Sequence, residues 1–247
     1  MASKYFTVEV KPTIAASAQH TAQFGSGDVL FDWTSFQVPR GANRLINVTA
    51  LVRPKGDAGP TGNNKAFQLV FSKSNTQTLG NSNGGTTNRP SNDLLGMVEF
   101  APADYMSTAV DSTQVADLAH GGANPVGPLV LQGDINTGDN VGYDTLHVGA
   151  ICSNASMDFT SILVVSDADI ASAAHTTIVT AGSSMDNREH FIAGDIIHAQ
   201  DDAVVGTLAS VAESAITLTS ELGTSILTNG DTLYNIHPLR FILQFER

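Results

Sequence analysis

Residues 191–246 constrain the fold more than any other part of the sequence, because short apolar runs alternate there with turn residues. The runs are FIAGDIIHA, AVVGTLASVAES, AITLTSEL, TLYNI and HPLRFILQFE, and Asp-Asp and Asn-Gly-Asp turns lie between them. Alternation with a period of two, broken roughly every eight to twelve residues by turn residues, is typical of antiparallel strands. The segment therefore predicts a small closed β-unit, and nothing in it is arranged for catalysis.

The last run indicates how this unit is connected to the rest of the chain. Four of its large apolar residues share one face: Leu239, Phe241, Leu243 and Phe245. A strand with such a face must be covered, so we expect it to return to a larger sheet. The sequence thus predicts an all-β protein. Residues 1–186 and 237–247 form the main antiparallel β-sandwich, which is jelly-roll-like, and residues 187–236 form an inserted small β-barrel module whose ends lie close together.

Other alternating runs supply the strands of the sandwich. One strand is predicted at residues 29–38, with Trp33 in the core. Three further strands are predicted, each with one apolar face: Ile46, Val48, Ala50 and Val52; Phe67, Leu69 and Phe71; Leu146, Val148, Ala150 and Cys152. Residues 105–119 are the best helical candidate, and residues 166–174 are a shorter one with Ser166 as N-cap.

Two segments are expected to become ordered only against a neighbour. Residues 75–93 are almost wholly Asn, Thr, Gly and Ser, so they bury too little apolar surface to order themselves. The N-terminal arm, residues 1–12, is the second candidate. Both are predicted to act as strand additions or clamps on a partner.

Charge is distributed unevenly along the chain, whose net charge is -12. Residues 1–100 contain nine Lys or Arg and six Asp or Glu, whereas residues 101–247 contain three and eighteen. The acidic half would repel nucleic acid and anionic membranes, so neither is an expected partner. Charged residues make up only 15% of the chain. The resulting neutral polar surface is common in proteins that pack in dense arrays, and secreted proteins share it.

The N-terminus and the single cysteine limit where the protein is made. Residues 1–10 alternate at once and contain no apolar core of a signal peptide, and no stretch is long enough to span a bilayer. We therefore expect synthesis inside the cell without Sec export. Cys152 lies in an alternating run, so we expect it to be buried and unreactive, and one cysteine excludes an intrachain disulfide.

The sequence contains no recognisable catalytic motif. The histidines are scattered and none has paired metal-ligand spacing: His20, His120, His147, His175, His190, His198 and His237. There is no GxSxG nucleophile turn and no phosphate-binding loop. The sequence predicts no enzyme activity, no catalytic residues, no cofactor and no metal site.

One loop has oxygen donors that Ca²⁺ could use. Residues 134–140 bring together Asp134, Asn136, Asp139 and Asn140, but the loop lacks a distal Glu, and such residues also simply make turns. Turn or cap roles are likewise preferred for the other acidic pairs: Asp201 with Asp202, and Asp167 with Asp169.

Four short motifs in the inserted module resemble a small β-module of tailed-bacteriophage virion proteins. They are GDII (residues 194–197), VGTLASV (205–211), TLT (217–219) and LTNGDTLY (227–234). The motifs cover about a fifth of the chain. The stretch FDWTSFQVPRGANRLINVTALVRPKG (31–56) is similar to structural proteins of phages of marine cyanobacteria.

The resemblance implies a structural virion protein, most of all a capsid decoration (cement) protein. Its expected partner is the major capsid protein or another virion protein. The chain itself would form a homotrimer or another homo-oligomer, located in the virion after assembly in the host cytoplasm. Three alternatives stay open: a neck, tail or baseplate protein, a carbohydrate-binding β-sandwich module, and a Ca²⁺-dependent adhesion module.

Overall fold

The computed structural model describes residues 4–55, 62–86, 93–106, 113–118, 129–132, 142–153, 157–160, 163–166, 170, 175–180, 186–223 and 226–247. The strands are β1 (Tyr5–Val10), β2 (Val29–Pro39), β3 (Asn43–Val52), β4 (Phe67–Ser72), β5 (Leu94–Phe100), β6 (Gln114–Asp117), β7 (Leu129–Leu131), β8 (Tyr143–Cys152), β9 (Leu163–Val164), β10 (His175–Val179), β11 (Ile196–Ala199), β12 (Val204–Ala212), β13 (Ala215–Leu222), β14 (Thr232–Asn235) and β15 (Leu239–Glu246). The helices are short: α1 (Ala16–Thr21), α2 (Asn187–His190) and a 3-10 turn at Pro102–Asp104. The prediction of an all-β protein is confirmed.

Two antiparallel sheets form the main domain. One has the order β1-β15-β3-β6, and the other has the order β2-β8-β4-β5. β6 and β7 pair with successive parts of β3, so together they occupy one position in the first sheet. If β6 and β7 are counted as one strand and strands β9–β14 of the third sheet are left out, eight strands remain, numbered 1 to 8 along the chain. In this numbering the order of the first sheet is 1-8-3-6 and that of the second sheet is 2-7-4-5. This is the strand order of a jelly roll, so the predicted jelly-roll-like sandwich is confirmed.

Aromatic side chains join the two sheets. Phe241 of β15 lies between Phe31 of β2 and Phe67 of β4, with ring centroids 5.8 and 6.0 Å away. Phe36 and Phe245 make a similar contact at 6.5 Å. The predicted apolar face of β15 is therefore confirmed, and it forms the centre of the core because alternate residues of a strand point to the same side.

The predicted inward face of β3 is right at three of its four positions: Val48, Ala50 and Val52. Ile46 is only half-buried, and Leu45 is buried instead. The ladder with β15 is irregular at this point, because Gln244 pairs with Asn47 whereas Phe245 pairs with Leu45. Ile46 is thus an extra residue, and such a bulge reverses the alternation beyond it.

A third sheet lies in the chain between β8 and β15. Its order is β10-β13-β12-β11-β14-β9. The predicted strands at β11, β12, β13 and β14 are confirmed, but in the described part of the chain no closed barrel is found. Within the described residues, the two ends of the sheet are joined by one isolated bridge between Val165 and Thr180. β9 (Leu163–Val164) and β10 are therefore the two end strands of this sheet.

The third sheet begins earlier in the chain than the predicted module. Its strands β9 and β10 precede Asn187, where the module was expected to begin. The division into domains at residues 186 and 187 stays a prediction. The strand order shows that the whole excursion between Cys152 and Leu239 leaves and re-enters the jelly roll between its last two strands.

The helix predicted at residues 105–119 is wrong where the structure describes it. Gln114–Asp117 is strand β6, paired with residues Thr49–Val52 of β3. Pairing with a distant strand overrides local propensity here, and the sequence window contains no signal of that partner. Residues 107–112 and 119 lie outside the described part. So do most of the residues of the second predicted helix: 167–169 and 171–174.

The described residues of both segments that were expected to become ordered only against a partner are bound within the chain, and residues 1–3 of the first segment lie outside the described part. β1 pairs with β15 along its whole length, so it is not a free arm. In the second segment, Leu79 N–H donates to the Asp32 carboxylate at 2.7 Å and Trp33 Nε1 donates to the Gln77 carbonyl at 2.8 Å. Trp33 is accordingly half-buried over the outer face of β2 instead of in the core. Residues 87–92 lie outside the described part.

Candidate functional site

The topology places the third sheet beside the connection from β1 to β2. Val10, at the end of β1, pairs with Phe241 near the start of β15. The chain that leaves β1 and the chain that returns from the third sheet therefore meet at the same end of the jelly roll. α1 lies in this connection, and it packs against β14. The junction between the jelly roll and the third sheet is our candidate functional site.

α1 fixes one side of the junction through hydrogen bonds. The buried Gln19 donates from Nε2 to the carbonyl of Asn235 at 3.0 Å. His20 Nδ1 lies 2.8 Å from the hydroxyl of Tyr234, and Ser17 N–H donates to the Asp202 carboxylate at 3.0 Å. Gln19 is fully buried, so its amide would be costly to leave without these partners.

Arg53 fixes the other side. Its guanidinium lies 3.3 Å from the carboxylate of Asp195, and both side chains are 17% exposed. Asp195 also accepts from Asn235 Nδ2 at 2.9 Å, so it links the guanidinium to strand β14. Burial lowers the pKa of Arg53, and the charge of Asp195 opposes that shift. Arginine stays protonated at such a site, so the guanidinium keeps its charge.

A groove of about 570 Å³ runs between the two units at Arg53. Apolar side chains from both units line it: Leu51, Val115, Leu239, Ile192 and Ile196. The last two are 56% and 41% exposed. This floor suits an apolar or mixed segment of another molecule.

The cations of the groove are matched by carboxylates. Lys11 lies 3.5 Å from Glu9, and Arg240 contacts the same carboxylate. Arg188 contacts Asp186. Because these charges are compensated locally, the groove does not concentrate positive charge for a phosphate or a nucleic acid.

His190 of α2 is buried close to this junction. Its side chain is 1% exposed, and neither ring nitrogen has a hydrogen-bond partner among the described residues. Burial lowers the pKa of His190 to about 4, and the nearby charge of Arg53 contributes in the same direction. The imidazole is therefore neutral near pH 7. The buried ring of His190 therefore has a packing role beside the junction.

Four of the other described histidines contact hydroxyl or carbonyl groups, and His175 is the first residue of β10. His147 Nδ1 lies 3.1 Å from Ser35 Oγ, and burial lowers the pKa of His147. His198 contacts the carbonyl of Asp202, and His237 contacts the carbonyl of Pro12. His120 lies outside the described residues. Over the described ranges, no three His, Cys, Asp or Glu side chains lie together as a metal site would require.

The structure describes only one of the three groups of acidic residues that were singled out in the sequence. Asp134, Asn136, Asp139 and Asn140 lie outside the described residues, as do Asp167 and Asp169. Asp201 and Asp202 form the predicted turn between β11 and β12, where Asp202 has a positive φ of 69°. Cys152 is fully buried, as expected, and its thiol lies 3.6 Å from the Phe24 carbonyl.

The sequence did not predict either of the two contacts that hold the junction together, which are the hydrogen bonds of α1 and the Arg53–Asp195 pair. Arg53 follows an apolar strand, and its partner Asp195 is 142 residues away in the chain. α1 has no acidic residue in its first turn and no side-chain cap, so the usual helix-start signals are missing. The polar residues Gln19 and His20 lie beside apolar residues in the sequence. Such a pattern is common in helices and in loops, so it did not predict α1 or its partners.

The fold and the junction define the class of the protein: a jelly roll with an additional antiparallel sheet inserted between its last two strands. No family model, no curated protein and no solved structure matches the chain. None of the described helices is both long enough and apolar enough to cross a membrane.

Proposed function

We propose that the protein is a structural component of a virion, specifically a capsid decoration protein of a tailed bacteriophage. The observation that carries the proposal is the jelly roll with a sheet fastened to it at two places, by α1 and by the Arg53–Asp195 pair. Jelly rolls build viral shells, although they also occur in lectins. The choice between these rests on fold analogy together with the motifs of residues 194–234.

The contacts at the junction hold the jelly roll and the third sheet together, so the protein can dock on a capsid as one rigid unit. A chain whose two β-units are already fixed loses little conformational entropy when it binds. Decoration of a shell places many identical copies on a symmetric lattice, so weak contacts add up through avidity. The apolar groove beside Arg53 is the surface that we assign to the major capsid protein or another virion protein, with exposed Ile192 and Ile196 at its edge.

Copy number tests the proposal. Recombinant chain is added to purified heads that lack it, the heads are separated, and the bound chain is quantified. A decoration protein saturates on the order of hundreds of copies per head, as the shell symmetry requires. Roughly six to eighteen copies on complete particles, at the tail, would instead identify a neck, tail or baseplate protein. No association with particles would refute a virion role.

A matched pair of variants assigns the contact. Ile192→Asp places a charge at the apolar edge of the groove and is expected to weaken binding to heads. Val179→Asp is the control, because Val179 is similarly exposed, at 44%, and is not among the groove residues. Equal binding by both variants would exclude the groove as the docking surface.

A further inference from the structure

β1 is the outermost strand of its sheet, with β15 as its one neighbour among the described strands. Arg247 N–H donates to the Lys4 carbonyl at 2.9 Å, in the same register as the ladder between the two strands. Hydrogen-bonded and non-hydrogen-bonded pairs alternate along an antiparallel ladder. The backbone groups of Phe6 and Val8 therefore point to β15, and those of Thr7 and Glu9 point away from the sheet.

The inner face of β1 is incompletely covered. Phe6 stacks on Phe245 at 5.1 Å, yet Phe6 and Val8 are only half-buried, whereas Val10 is 2% exposed. β1 contains no proline, and its register with β15 has no bulge. Prolines and bulges are two of the features by which edge strands prevent the addition of another strand; charged side chains are a third, and β1 has one in Glu9. β1 thus has the backbone and the apolar face that an added strand would use.

We propose that β1 binds a second copy of this chain by antiparallel pairing of the two β1 strands. The twofold axis passes between the Thr7 residues of the two copies. In this register Tyr5 lies opposite the copy's Glu9, and Phe6 lies opposite the copy's Val8. The two sheets then continue as one sheet across the dimer, and the interface is isologous.

The sequence of β1 is self-complementary in this register. Thr–Thr pairs and aromatic pairs with β-branched residues are favourable across antiparallel strands. Glu9 meets Tyr5, so no like charges lie directly opposite each other. A register centred on Glu9 would instead place the two Glu9 carboxylates opposite each other, which is unfavourable. The outward backbone of Thr7 forms the central pair.

The interface is small, because one strand of six residues contributes the pairing from each copy. We therefore expect a weak dimer that forms with rising concentration in solution. Copies held close together on a common surface would pair more completely through their raised local concentration. The pairing concerns the free chain and is independent of the virion role.

Sedimentation velocity across a concentration series tests the pairing. The wild-type mass is expected to rise from 25.8 kDa toward twice that value. Thr7→Pro removes the N–H that points away from the sheet and leaves every bond to β15 intact, so this variant should stay monomeric with an unchanged melting temperature. Thr7→Ser is the matched control and should dimerise like the wild type.

Charged substitutions at position 7 test the register of the pairing, and the result does not depend on how well the Thr7→Pro variant folds. Thr7→Arg and Thr7→Glu each place like charges opposite each other at the axis, so each alone should be monomeric. Their equimolar mixture should dimerise. The proposal is overturned by a wild type that stays monomeric at all concentrations, by a stable trimer, or by variants that associate as the wild type does.

Discussion

Arg53 at the end of β3 and Asp195 before β11 lie 3.3 Å apart, and this pair joins the jelly roll to the inserted sheet. Asp195 keeps two further donors, Asn235 Nδ2 and the Ile192 N–H. The pair therefore belongs to a small network in which one cation comes from the jelly roll and the acceptor and other donors come from the insertion. The stability of the junction should depend on it.

Replacing Arg53 should destabilise the fold. Arg53→Met is expected to lower the free energy of unfolding by about 1–3 kcal/mol, because it leaves a half-buried carboxylate with fewer donors. Arg44→Met on the same strand is the control. Arg44 is 46% exposed and lies 3.6 Å from Glu246, so its loss should change stability by less than about 0.5 kcal/mol. Urea denaturation measures the free energy of unfolding of both variants. Equal losses in Arg53→Met and Arg44→Met would show that the Arg53–Asp195 pair does not stabilise the junction.

Stability should fall as the pH is lowered from about 6.5 to about 4. The folded-state pKa of His190 is lowered to about 4 by burial, so in this range the unfolded chain binds a proton that the folded chain does not. The loss attributable to His190 is at most about 3 kcal/mol. Thermal unfolding at a series of pH values measures it.

His190→Leu isolates this effect. The variant should be as stable as the wild type at pH 7, because neither ring nitrogen of His190 has a hydrogen-bond partner among the described residues. It should lose less stability on acidification. Some pH dependence should remain, because burial also lowers the pKa of His147. An unchanged pH profile in His190→Leu would contradict the burial of a neutral imidazole.

The aromatic contact between the sheets should dominate the stability of the jelly roll. Phe241→Ala is expected to cost about 3–5 kcal/mol, because its fully buried ring contacts Phe31 and Phe67 from the opposite sheet. Phe6→Ala, at the half-buried edge strand, should cost clearly less. Chemical denaturation of the two variants would contradict the proposed core if their losses were equal.

Residues 75–86 should be loosened by a single methyl group. A Cβ at Gly149 would lie 2.6 Å from Leu79 Cδ2, so Gly149→Ala should displace Leu79 from the outer face of the sheet. Gly85→Ala, in the same segment, meets no atom within 4 Å and is the control. Hydrogen exchange of residues 75–86 should rise in the first variant alone. Unchanged protection in Gly149→Ala would mean that Leu79 does not hold the segment in place.

The strands of this fold were accessible from the sequence wherever one face of a strand is buried. Alternation located β15 and β13 well, because a buried face imposes a period of two on the residue types. It failed at Ile46, where one extra residue in the ladder reverses the faces. It also failed at β6, whose four residues become a strand through pairing with β3.

The junction was beyond the reach of sequence patterns for a different reason. Its contacts join residues that are far apart in the chain, as in Gln19 with Asn235 and Arg53 with Asp195. A polar residue in a sequence does not indicate which distant partner it will have. The same holds for residues 75–86, whose polar composition suggested disorder although they form hydrogen bonds with Asp32 of β2 and Ala18 of α1.

The number of copies bound per head tests the central claim most directly. Quantitative mass spectrometry of heads saturated with the recombinant chain is expected to give on the order of hundreds of copies, in a fixed ratio to the major capsid protein. Binding should weaken in Ile192→Asp and persist in Val179→Asp. Heads that retain no chain after separation would contradict the decoration role.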